Sequence, residues 1–103
     1  PYPHGQLVEA LAAPRGPALD GLAVFETYAI AAALRGADAA LKAAEVHAIR
    51  FDRGLALGGK AAFYFTGALH DLEAAMERAL PAIGAGLLVG HEIIANPHPQ
   101  TTA

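Results

Sequence analysis

The chain has no cysteine, which excludes disulfides, thiolate catalysis and Cys-ligated clusters and is compatible with a reducing compartment such as the cytoplasm. Serine is also missing, and with it the usual hydroxyl nucleophile. Thr27, Thr66, Thr101 and Thr102 fall at turns or in the tail, where local hydrogen bonding explains them. Charge is scarce: 17% of the 103 residues are Asp, Glu, Lys or Arg, and the net charge is -3. With a pI near 5.9 there is no concentrated basic face for nucleic acid. No run of about 18 uninterrupted apolar residues exists, and no basic region precedes an apolar one at the N-terminus, so neither a membrane span nor a signal peptide is expected.

The five histidines, His4, His47, His70, His91 and His98, are dispersed, and no pair has the three-to-five residue spacing of a compact metal motif. No metal or other cofactor is expected. Two acid–base pairings come into view, His70 with Asp71 and Glu26 with His91. Neighbours on a helix point apart, and nothing in the sequence brings Glu26 to His91, so no catalytic residue is assigned.

What the chain does have is apolar residues, 54% of the total. A single domain of this size buries roughly two thirds of its unfolded surface. The remaining apolar surface makes self-association the natural outlet.

The periodicities give the order strand, helix, strand, strand, helix, strand. Leu22–Phe25 reads as a short strand running into Glu26 and Thr27. A helix follows, with Ile30, Ala33, Leu34, Ala37, Leu41 and Ala44 forming an apolar stripe expected to face a sheet, and Arg35, Asp38, Lys42 and Glu45 on the solvent or partner side. Val46–Phe51 and Ala61–Thr66 are the next strands, joined by a glycine-rich loop. Ala68–Ile83 is a second helix, with Leu69, Leu72, Ala75, Met76, Ala79, Leu80 and Ile83 inward, Asp71, Glu73, Glu77 and Arg78 outward, and Pro81 in its last turn. Gly84 and Gly86 end it, and Leu87–Ala95 returns as the last strand. The plan is α+β, a four-stranded antiparallel-type sheet with two helices on one face. A short helix at Gln6–Ala13, with Leu7, Val8 and Leu11 on one side, is expected to cap the core.

Gly54–Lys60 fits the first seven positions of the phosphate-binding pattern G-x-x-x-x-G-K. That chemistry needs a helix starting at the Lys and a Ser or Thr after it. Here Ala61 follows, and AAFYFT is strand-like.

The ET dipeptide at Glu26 and Thr27, a helix ending ADAALKAAEV, a TGAL turn before the second helix and a closing EIIANPHP together resemble the bacterial microcompartment shell domain, with its similar ET and ADAxxKAAxV signatures. The resemblance covers about residues 20–98, leaving 1–19 as an extension and 99–103 as a tail. It implies a ferredoxin-like variant fold and a non-enzymatic tile. Such tiles are hexamers, or pseudohexameric trimers of tandem chains. They assemble with other shell proteins around enclosed enzymes in the cytoplasm and pass small metabolites through a central pore.

The resemblance places Gly54, Leu55, Ala56, Leu57, Gly58, Gly59 and Lys60 at that pore. Lys42, Asn96, Pro97 and His98 fall at the tile edge. The loop is about two residues longer than the KIGSG-like loop of common hexamer-forming members, and its LGGK is closest to the second domain of tandem proteins. Asn96 stands where the family often has an Arg. Lys60 or Arg53, if it rings the opening, would favour anionic metabolites. Pro3, His4, Gly5 and Gln6 echo Pro97, His98, Pro99 and Gln100, so the first residues look like the tail of a preceding domain. The contrasting expectation is a small regulatory α+β oligomer binding an anion or nucleotide through loop 54–60.

Overall fold

In the computed structural model of the chain, residues 20–53, 58 and 60–95 are described. The expected helix at Gln6–Ala13, the extension 1–19 and the tail 99–103 lie outside them. Six elements follow in the expected order: β1 (Gly21–Thr27), α1 (Ile30–Ala43), β2 (Val46–Arg53), β3 (Ala61–Gly67), α2 (Leu69–Ile83) and β4 (Leu88–Ala95).

The strands form one antiparallel sheet in the order β2-β3-β1-β4. β1 is central and apolar because both its faces are buried. Its alternate residues divide between two clusters. Ala23 and Phe25, with Phe63 and Phe65 of β3, face the helices, and Leu22 and Val24, with Ala62 and Tyr64, face the other way. The Phe25 ring lies 5.6 Å from that of Phe63 and 6.3 Å from that of Phe65, an aromatic centre between sheet and helices.

The helices meet this centre mostly through small residues. In α1 the buried positions are Ala32, Ala33, Gly36, Ala37 and Ala40. This corrects the expected stripe: Leu34 and Leu41 are 56% and 44% exposed. The reason is steric. A Cβ on Gly36 would come within 2.8 Å of Ile83 Cγ1 and 2.9 Å of Phe25 Cζ, so α1 sits too close to α2 and β1 for leucines to enter. In α2 the inward set is Leu72, Ala75, Met76, Ala79 and Ile83, and Pro81 is accommodated within the helix. Leu80 is half-buried, whereas Leu69, expected inward, is among the exposed apolar residues at the first turn.

Long-range polar contacts finish the helix ends. The Leu69 amide at the start of α2 donates to Asp20 Oδ2 at 3.4 Å. Arg35, exposed on the expected side of α1, also reaches the C-terminal end of α2. Its Nε donates to the Ala82 carbonyl at 3.1 Å and its Nη2 to that of Ile83 at 3.0 Å, satisfying carbonyls that a helix terminus leaves without partners. Gly84 then takes φ +99°, which admits glycine and turns the chain toward β4.

Candidate functional site

The expected site residues fall into two regions at opposite ends of the sheet. The register sets Thr27 against Ala61 and Ala61 against Arg53, so the loop between β2 and β3 leaves from one end. At the other end Gly21 is opposite Gly67 and Ala95, and Val46 is opposite Gly67. α1 begins after the loop end of β1 and finishes three residues before Val46, which carries Lys42 to the far end.

Of the loop, Gly54, Leu55, Ala56, Leu57 and Gly59 lie outside the described residues. Gly58 has φ +62°, a left-handed conformation for which glycine is suited. Lys60 leads directly into β3, with no helix starting there, so the phosphate-loop context is absent at this Lys. Its Nζ sits 5.8 Å from the centroid of the Tyr28 ring, within cation–π reach. Tyr28 is 56% exposed and is tied into place by its amide, which donates to the Leu87 carbonyl at 2.8 Å. Sequence reasoning missed Tyr28 as a neighbour of the loop, because 32 positions separate it from Lys60 and only the β1–β3 pairing brings them together. Behind it, the buried Thr27 hydroxyl donates to the Ala29 carbonyl at 2.6 Å and fixes the turn from β1 into α1.

Lys42 is exposed and pairs with Asp38 at 3.0 Å across one helical turn. An ion pair this open to solvent contributes a few tenths of a kcal/mol, so the pairing leaves the ammonium available to another partner at little cost. Lys42, Ala39, Ala43 and Arg78 line a shallow depression between the helices. Asn96, Pro97 and His98 lie outside the described residues, but Ala95, from which they continue, is at the same end of the sheet as Lys42.

The two acid–base pairings resolve differently. His70 Nε2 does approach Asp71 Oδ1, at 3.5 Å, contrary to the expectation that helix neighbours point apart, yet the His70 side chain is largely exposed and no described cleft encloses the pair. Glu26 is opposite Gly90, and His91 is opposite Phe25, so Glu26 and His91 project from opposite faces of the sheet. Among the described residues no three His, Asp or Glu side chains gather as a metal-binding group, and no helix is long and apolar enough to cross a membrane.

On the face away from the helices, burial pushes the Tyr64 phenol above its ordinary value of 10.0; the Asp52 and Glu26 carboxylates reinforce the shift and Arg50, 5.5 Å from the ring centroid, opposes it. The folded state therefore holds the phenolic proton more tightly than the unfolded chain does, and stability is expected to fall as the pH rises above about 10, where the unfolded chain ionises first. Urea midpoints measured from pH 8 to 11 check this. Tyr64→Phe flattens the decline.

The described residues form a two-layer α+β domain, with the β2–β3 connection leaving one end of the sheet and the exposed Lys42 at the other. The pattern of the BMC domain matches residues 21–97, and the chain belongs to that family. It is 34% identical over 76 residues to the bacterial microcompartment shell protein PduT of Citrobacter freundii, an alignment that covers 73% of this chain and 41% of that one. Its fold superposes with a TM-score of 0.72 and 30% identity on the crystal structure of a microcompartment protein from Desulfitobacterium hafniense, covering 92% of this chain and 54% of the other. The chain thus spans about half, or less, of the length of these relatives.

Proposed function

We propose that the chain is a structural tile of a bacterial microcompartment shell and not an enzyme. Six copies of the domain close a ring; in a longer chain carrying two such domains, three chains would make the same ring. Loop 54–60 lines a central opening for small metabolites, and Lys42 with Asn96, Pro97 and His98 forms the rim that meets the next tile. The partners are further copies, other shell proteins and the enclosed enzymes, within the cytoplasm.

The observation that carries this reading is the separation of the two regions: the loop leaves one end of the sheet, and Lys42 and Ala95 lie at the other. An element at the axis of a ring and an element at its rim must be so arranged. The exposed Tyr28, Leu34 and Leu41 supply apolar surface that a lone domain leaves in water.

Lys42→Asp tests the rim. The charge reversal is expected to lower stability by less than about 1 kcal/mol, because it breaks one exposed ion pair and sets two carboxylates one turn apart, while abolishing the extended sheets of tiles seen by electron microscopy and leaving the ring mass unchanged. Sheets that form as readily as before would remove Lys42 from the contact. A rise in melting temperature with ATP or inorganic phosphate would favour the regulatory reading of the loop instead.

A further inference from the structure

Among the described residues, the large apolar side chains left exposed are, besides Tyr28, Leu34 and Leu41 on α1, Leu69 on α2 and Val89 on β4. They fall on two opposite flanks. On α1, Arg35 bonds to carbonyls of α2, and Ala39 shares with Arg78 the depression between the helices, so this side of α1 faces α2. Leu34 and Leu41, seven residues apart and therefore on one side of the helix, are turned away from α2. On α2, Leu69 is nine residues, about two and a half turns, from Arg78 and lies on the side away from α1. α1 packs on β1, β2 and β3, and α2 reaches β4 as well, the outer strand that carries Val89. Leu34 and Leu41 thus mark the flank on the β2 side, and Leu69 and Val89 the flank on the β4 side.

We infer that these flanks are the two halves of one contact: the β2-side flank of each copy seats against the β4-side flank of the next copy, head to tail. The inference rests on the ring of the proposed function and names the surfaces that close it. Three observations select a second copy as the occupant. First, the flanks differ and lie on opposite sides. A two-fold contact of either flank with itself covers that flank and leaves the other in water, whereas a head-to-tail contact covers both in every copy of a closed ring. Second, the residues match in height along the strands. Leu34, in the first turns of α1, and Val89, the second residue of β4, lie toward the loop end, where Leu88 is opposite Thr27. Leu41, in the last turn of α1, and Leu69, the first residue of α2, lie toward the other end. Copies that share one orientation, as in a ring, therefore bring Leu34 to Val89 and Leu41 to Leu69. Third, the outer strands are complementary in charge. β2 carries Arg50, Asp52 and Arg53 and is net positive, and β4 carries Glu92 alone and is net negative. Lys42 lines the depression between the helices and stays outside both flanks, so the contact within a ring and the rim contact between rings use different residues.

Single-cysteine copies test the pairing, because the chain has no cysteine of its own. Copies carrying Leu41→Cys are refolded together with isotope-labelled copies carrying Leu69→Cys, and a short bifunctional maleimide is added. Mass spectrometry is expected to find cross-linked pairs of one unlabelled and one labelled chain in several-fold excess over like pairs, while either variant alone yields almost none. Like pairs in excess would show a two-fold contact and overturn the inference, as would rings of full mass that give no cross-link. Leu34→Asp with Leu41→Asp gives a second reading. Both positions are exposed, so circular dichroism is expected to keep its strand and helix signal while the ring falls apart to 10.5 kDa monomers. A ring mass that survives this double change overturns the flank assignment and leaves the ring standing. A wild-type chain that never forms the six-copy ring overturns that ring, and the inference with it.

Discussion

Phe25→Ala is expected to lower the stability of the chain by about 4 kcal/mol, a large fraction of what holds a domain of this size together. Phe25 is fully buried at the meeting point of β1, α1 and α2, its ring packs against those of Phe63 and Phe65, and its Cζ is the atom against which Gly36 fits. Truncation removes the apolar contacts and leaves a cavity that the aromatic neighbours cannot fill, because they are fixed by the β1–β3 register. Urea unfolding followed by circular dichroism measures the effect. The control is Phe51→Ala at the margin of the cluster, which is only partly buried and is expected to cost less than half as much. Equal losses at the two positions would mean that the core is centred elsewhere.

Gly36→Val carries the second large effect, about 3 kcal/mol, by overpacking rather than by loss of contact. The first added carbon already meets Ile83 Cγ1 at 2.8 Å and Phe25 Cζ at 2.9 Å, and both partners are fully buried with little room to retreat. The helices would have to separate, which would also draw Arg35 on α1 away from the Ala82 and Ile83 carbonyls. Because the clash is with a particular side chain, Ile83→Ala is expected to relieve it: the double variant should lose less stability than the two single losses added together. Additive losses would show that Gly36 matters for helix conformation and not for the approach of α1 to α2.

These two sites also show why the strands were readable and the helix faces less so. Strand positions follow from apolar and aromatic runs set between turn residues, and β1 and β3 carry that signal strongly; the ends moved by two residues or fewer. For α1, large side chains drew the expected stripe toward Leu34 and Leu41, whereas the packed stripe runs through alanines and Gly36. A stripe of small residues gives a weak hydropathy signal, and its importance lies in the close approach it permits, which only a partner element reveals. β2 hid its register in the same way. The irregularity between Ala48 and Arg50 shifts the alternation, so Arg50 and Asp52 come to lie on the Tyr64 face while Phe51 reaches the Phe63 side, 6.3 Å between ring centroids.

At the candidate site, the ordered motifs identified the family because they carry order and spacing, which composition lacks. What they did not contain was the three-dimensional pairing of Lys60 with Tyr28, the Arg35 contacts across the helices, or the closed second face of the sheet. Each of these joins residues far apart in the chain through the sheet topology. The Lys42–Asp38 pair, by contrast, is a local contact across one helical turn and was legible as spacing.

The native mass of the 103-residue chain tests the central claim most directly. A closed ring of six 10.5 kDa chains has a mass of about 63 kDa, and the proposed function predicts that species, with six-fold class averages in electron micrographs and a central opening. A chain that stays at 10.5 kDa across the accessible concentration range would contradict ring closure by six single-domain copies and leave only the ring of three two-domain chains.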